Sequence, residues 1–132
     1  MKIPSLNRPK PAPGTTTKQT GDVAEDLALS HLQRQGMRLL SRNYRTPGRG
    51  GGEIDLIMTA PDGTLVFVEV RARATRQHGG AGGSIGTVKQ QRIIYAAHQY
   101  LSTLRRIPPC RFDVVLVEPN SIEWLQAVFD AS

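Results

Sequence analysis

From Gly21 to Gln35 apolar positions recur at helical spacing: Val23, Ala24, Leu27, Ala28, His31 and Leu32 share one stripe, and Gly36 supplies a natural stop. Met37 to Arg45 alternates loosely, as a strand does, and the TPGRGGG that follows predicts a flexible turn. Two apolar strands come next, GGEIDLIM and LVFVEVRAR, joined by TAPDGT, whose Pro-Asp-Gly predicts a tight turn. Residues 73–86, RATRQHGGAGGSIG, predict a mobile glycine-rich connection. A second helix is predicted over 87–104, with Ile93, Ile94, Ala97, Tyr100, Leu101 and Leu104 on one stripe and Val88 on the far side. Pro108 and Pro109 end that region; RFDVVLV then reads as a short buried strand, and SIEWLQAVFDA as a last strand with a helical turn. The predicted order is α-β-β-β-α-β-β/α, an α/β sandwich in which a central mixed β-sheet is flanked by helices.

At 132 residues the chain can bury one modest core. The expected division is a basic Pro/Thr-rich disordered tail over residues 1–20 and a single domain over 21–132. The formal charge of +6 makes an anionic partner plausible, nucleic acid first. Its distribution tempers that argument: Lys2, Arg8, Lys10 and Lys18 account for +4, leaving a nearly balanced domain. One cysteine, Cys110, excludes an intrachain disulfide and fits a reducing compartment. No apolar run approaches membrane-spanning length, and prolines stand where a signal peptide needs its apolar stretch. The expected location is cytoplasmic, with no membrane partner.

Asp55 and Glu69 break the apolar character of the two central strands. If residues 61–63 form the turn, partner numbers sum to 124 and Asp55 lies opposite Glu69, with side chains about 5 Å apart. Like charges so placed repel, and a divalent cation between them would turn repulsion into coordination. Strict alternation places Glu53, Asp55 and Ile57 on one face with Phe67, Glu69, Arg71 and Arg73, and sets Glu53 opposite Arg71. The structural alternative is therefore an acid–base ladder in which Arg71 and Arg73 neutralise the acids.

An Asp on one strand followed by E-x-R on the next resembles the PD-(D/E)xK signature of the restriction-endonuclease-like superfamily. More specifically, the chain resembles the YraN family, small bacterial proteins assigned to that superfamily. The matching segments are GDVAEDLA around Glu25, SRNYR at 41–45, GEIDLI at 52–57, FVEVRAR at 67–73, Lys89-Gln90, and RFDVV at 111–115. The resemblance implies a nuclease-like fold in which Asp55 and Glu69 are the metal-binding acids for Mg²⁺ or Mn²⁺. It also implies that Glu25 matches the extra first-helix acid of several branches, Holliday-junction resolvases among them; an ordinary first-turn helix acid is the alternative. Arg71 departs from the pattern, standing where the superfamily usually has lysine. Arginine stays charged, so Arg71 can hold the scissile phosphate but cannot serve as a general base.

Lys89 and Gln90, at the start of the second helix, are expected to form a phosphate site with Arg73, Gln90 pointing at the sheet. The expected function is a metal-dependent endonuclease acting on DNA, with branched or damaged DNA among the candidate substrates, by attack of a metal-activated water on a phosphodiester. The alternative is a catalytically silent nucleic-acid-binding module on the same fold. Cutting two strands symmetrically would require a homodimer. GGAGGSIG lacks the Lys-Ser/Thr of a P-loop. His31 reads as a core histidine, His78 and His98 have no partner at ligand spacing, and Asp113 is expected to pair structurally with Arg111.

Overall fold

The structure, a computed structural model, describes residues 17–73 and 85–131. Helix α1 (Thr17–Arg34) leads into strands β1 (Arg38–Arg45), β2 (Glu53–Thr59) and β3 (Leu65–Ala72); helix α2 (Thr87–Leu101) then precedes β4 (Cys110–Glu118) and β5 (Ser121–Phe129). α1 therefore begins four residues inside the segment expected as a tail; residues 1–16 and most of the glycine-rich connection, with His78, lie outside the described residues. No helix among the described residues is long and apolar enough to cross a membrane.

The five strands form one sheet in sequence order. β1, β2 and β3 meander antiparallel, α2 carries the chain over to β4 parallel to β3, and β5 returns antiparallel. The β2–β3 connection fixes the register. Ala60 N–H donates to Thr64 O at 2.8 Å and Gly63 N–H to Ala60 O at 2.9 Å, with Gly63 at φ 93°. A residue with a side chain resists that left-handed geometry, so glycine belongs at that step of a three-residue hairpin loop. The ladder that follows, Thr59↔Leu65 to Leu56↔Val68, is the one predicted from a 61–63 turn.

Each helix covers one face. Against α1 lie Leu56, Met58, Val66, Val68, Val115 and Val117, packed on Ala24, Ala28 and Leu32. Against α2 lie Ile54, Ile57, Leu65, Phe67, Phe112, Val114 and Leu116, packed on Ile93, Ala96 and Ala97. On that side a run of ring contacts crosses the sheet: Tyr44 meets Tyr100 edge-on at 5.4 Å, Tyr100 meets Phe67 at 6.3 Å, and Phe67 stacks on Phe112 at 5.3 Å. Phe112 stacks in turn on Phe129 at 4.6 Å. Such pairs contribute about 0.5–1.5 kcal/mol each beyond their burial, which ties both edge strands to the middle.

Three expectations are corrected. The buried stripe of α1 is rotated: Ala24, Ala28 and Leu32 are inside, whereas Val23 and Leu27 are 46% and 45% exposed. That rotation turns Glu25 and Leu29, rather than Val23 and Leu27, toward the sheet. SIEWLQAVFDA contains no helical turn; it is the strand β5, whose left-handed residue Ala127 (φ 54°) accompanies a register shift against β4. Finally, β2 does not alternate throughout. Ile54 packs on the α2 side with Ile57, while Leu56 and Met58 face α1, so the strand breaks its period at Asp55.

Candidate active site

That break builds the site. β3 stays paired with β4 as far as Ala72, but the β2–β3 ladder ends at Leu56↔Val68. Continued by one step the register would set Asp55 against Glu69, and by two Ile54 against Val70. Instead Asp55 Oδ2 accepts the Val70 N–H at 2.7 Å. A side chain thus takes the place of a strand carbonyl, and the two strands part into a fork. Across β2, the facing position on β1 is Asn43, whose φ of 55° marks the same distortion. Asparagine tolerates the left-handed region better than most side chains.

Two carboxylates meet in this fork, reached from opposite faces of the sheet by two helices. Glu69 is 12% exposed; its Oε2 receives Lys89 Nζ at 3.3 Å from the first turn of α2. Its Oε1 is buried with no hydrogen-bond partner. Asp55 is half-buried beside it. Burial, then the Glu69 charge, pushes the Asp55 carboxyl up from 3.8 to about 7, against the opposing pull of the Val70 N–H and Lys89. An ionised carboxylate has no proton to donate, so Asp55 can satisfy Glu69 Oε1 only while it holds its own proton.

Glu25 approaches from α1, its side chain also 12% exposed. Desolvation first and the Asp55 charge second raise its pKa, while Arg42 and Asn43 oppose them. Arg42 holds Glu25 Oε1 at 3.4 Å and Asp26 Oδ1 at 2.7 Å, anchoring the helix to β1. The fold thus gathers Asp55, Glu69, Lys89 and Glu25 around the fork.

Arg71 and Arg73 stand further along β3 and just past its end: Arg71 is exposed beside Leu116, and Arg73 N–H donates to Val117 O at 2.9 Å. Gln90 is half-buried, and its side-chain amide donates to Ile85 O at 2.7 Å and so pins the start of α2. Glu53 pairs with Arg45 at 3.3 Å, not with Arg71, because β2 has already left β3 at that point. Asp113 pairs with Arg111 at 2.9 Å, as its position in a buried strand suggested, and also accepts Trp124 Nε1–H and Ala127 N–H, each at 2.9 Å.

Among the described residues no three His, Cys, Asp or Glu side chains stand together as a ready metal-ligand set. The donor chemistry at the fork still fits a hard divalent ion. Mg²⁺ commonly takes one or two protein carboxylates and fills its other positions with water and phosphate oxygens. Asp55 and Glu69 supply two carboxylates, one carrying a buried oxygen with no partner among the described residues and the other driven toward protonation first by burial and then by its neighbour.

Arg42, Arg45 and Arg92 are charged neighbours of the fork that strand and helix patterns do not single out. The faint signal for Arg92 is its place three residues after Lys89, on the same side of α2.

The family model described as Uncharacterised protein family UPF0102 matches residues 24–117, a span holding Glu25, Asp55, Glu69, Arg71 and Lys89. The chain is 68% identical over 116 residues to a UPF0102 protein of Albidiferax ferrireducens, covering 88% of this chain and 91% of that relative. It is 63% identical over 117 residues to one of Paracidovorax citrulli, covering 89% of this chain and 87% of the relative. To one of Methylibium petroleiphilum it is 58% identical over 120 residues, 89% and 98% of the two chains. With a match across most of its length and relatives at this identity, the chain belongs to the UPF0102 family, the YraN-type proteins that its motifs resemble.

Proposed function

We propose that the protein is a Mg²⁺- or Mn²⁺-dependent endonuclease that hydrolyses phosphodiester bonds of DNA, with branched or damaged DNA among its substrates. The observation carrying this reading is the Asp55–Glu69 pair in the strand fork, with its unsatisfied Glu69 Oε1 and the Lys89 ammonium 3.3 Å from Oε2. Two apposed, partly buried acids cost stability without a cation and are useful with one.

Asp55 and Glu69 would hold the ion, which when bound supplies Lewis acidity toward a phosphodiester oxygen and lowers the pKa of water in its coordination sphere. The chain's own residues do the remaining work. Val70 N–H fixes Asp55 Oδ2, so the carboxylate is oriented before any ligand arrives. Lys89 brings a positive charge to the mouth of the fork, where a phosphate must approach two acids. Gln90, bonded to Ile85 O, holds the positive end of α2 in place beside it. Arg71 and Arg73 add cations along β3 that bind phosphate and offset developing negative charge, and Arg71 cannot remove a proton. Glu25, restrained by Arg42, contributes a supporting negative charge from the α1 side.

Arg71, standing where nucleases of this type carry lysine, favours a second reading: a DNA-binding module on the same fold without turnover. One experiment separates the two. Purified protein is incubated with labelled linear, single-stranded and four-way-junction DNA plus Mg²⁺ or Mn²⁺, with Glu69→Gln in parallel. The nuclease reading requires metal-dependent cutting that the variant lacks. Salt-sensitive retention of DNA by both proteins with no cutting moves the assignment to the binding module.

A further inference from the structure

Beside the fork a recess of about 390 Å³ opens between the β1–β2 loop and the outer side of α2. Among the described residues its walls carry Arg45, Lys89 and Arg92, against a single acid, Glu53. Lys89 belongs to both places: it lines the recess and touches Glu69, so one side chain borders both the recess and the carboxylate fork.

The recess exists because of a close approach. A Cβ on Gly52 would land on the carbonyl of Arg92. Only glycine lets the loop lie against the helix, with Arg45 and Arg92 brought to facing walls. The loop's own polar groups are already engaged: Gly52 N–H donates to Thr46 Oγ1 at 2.7 Å, and Gly51 N–H to Gly48 O at 3.2 Å. An anion here would be bound by side-chain cations and not by a backbone nest. Arg45 is shared with half-buried Glu53 at 3.3 Å, while Arg92 makes no ion pair with any described carboxylate. The recess therefore carries a net positive charge.

We infer that Arg45, Lys89 and Arg92 form a second anion subsite, which takes a backbone phosphate of the same nucleic-acid strand next to the phosphate presented to Asp55 and Glu69. Its place beside the scissile position rests on the nuclease reading; its affinity for a strand does not. At about 390 Å³ the recess has room for one phosphate–sugar unit. No aromatic side chain among the described residues lines it, and guanidinium–phosphate contacts carry no sequence information. The subsite grips a strand irrespective of sequence and lays it across the fork.

The test uses the full chain in excess chelator, so that no cleavage is required. Binding of labelled single-stranded oligonucleotides of two unrelated sequences is measured by fluorescence anisotropy across a salt series. The proteins are wild type, Arg45→Ala/Arg92→Ala, Arg92→Lys and Arg34→Ala, the last an exposed cation at the end of α1 on the other face. Both recess arginines are exposed, and equal melting temperatures verify that the variants fold. Losing two contacts should lower the slope of log affinity against log salt by about 1.4, at about 0.7 per phosphate contact on a single strand. The loss should be equal for both sequences; Arg92→Lys should keep the slope, and Arg34→Ala should match wild type.

A wild-type slope in the double variant overturns the subsite, as does an equal loss in Arg34→Ala or an absence of salt-sensitive binding by wild type. Displacement of the oligonucleotide by an equal phosphate concentration of inorganic phosphate would make the recess a free-anion site and overturns the strand assignment. The nuclease reading fails separately: slope loss in the double variant with no metal-dependent cutting by wild type keeps the subsite and removes the enzyme.

Discussion

Replacing Asp55 with asparagine should make the metal-free protein more stable at alkaline pH. The wild-type carboxyl titrates at about 7 in place of 3.8, so between those values the folded state holds a proton that the unfolded chain has released. The sign follows directly. This group's favourable contribution is complete below pH 3.8 and is lost as pH rises through about 7. At 1.36 kcal/mol for each tenfold difference in proton affinity, ionising Asp55 in the fold costs on the order of 4 kcal/mol. That is a large share of the 5–15 kcal/mol, roughly, that holds a small domain together. Asparagine keeps the shape, and its Oδ1 can still accept the Val70 N–H, but it carries no charge to desolvate or to repel Glu69. Urea unfolding of both proteins in chelator, at intervals from acid to alkaline pH, reads the difference. The two should be nearly equal near pH 4, and the variant should gain up to several kcal/mol by pH 8. Mg²⁺ added at pH 8 should recover stability in wild type by mass action and leave the variant unchanged. A variant no more stable than wild type at pH 8, with a parallel pH profile, would refute the claim that two ionised acids are forced together in the fork.

Two further substitutions probe the frame around the site. Asp113, 1% exposed, satisfies Arg111, Trp124 Nε1–H and Ala127 N–H together, so Asp113→Ala should cost about 3–5 kcal/mol in urea unfolding while leaving divalent-ion affinity unchanged. Gly52→Ala drives a methyl into the Arg92 carbonyl, where backbone meets backbone and neither can rotate away. It should cost about 1–3 kcal/mol by the same measurement and weaken oligonucleotide binding by prising the β1–β2 loop from α2.

What the sequence could reveal depended on how locally each feature is determined. The Pro-Asp-Gly turn pins the β2–β3 register within a few residues, so the pairing rule of 124 is legible in the sequence alone. The pairing of Asp113 with Arg111 was equally local, two residues apart on one strand. The fork was not legible. Strict alternation through Glu53, Asp55 and Ile57 conceals a break that arises from the left-handed turn at Asn43 and from Asp55 capturing the Val70 N–H, both tertiary events. The same break frees Glu53 for Arg45, so the predicted Glu53–Arg71 rung never forms. On α1, Val23 and Leu27 fit the apolar stripe as well as Leu29 does, and only packing against Val66, Val68 and Val115 decides the rotation that turns Glu25 inward. Arg45 and Arg92 are far apart in sequence and meet only because Gly52 allows a loop to touch a helix.

The central claim is that Asp55 and Glu69 together form a divalent-cation site, and Mn²⁺ titration calorimetry at pH 8 on wild type, Asp55→Asn and Glu69→Gln tests it most directly. One Mn²⁺ site is expected in wild type, weakened at least tenfold by either substitution while Asp113→Asn leaves it intact. Equal Mn²⁺ affinity in wild type and Asp55→Asn, or no binding by wild type, would contradict it.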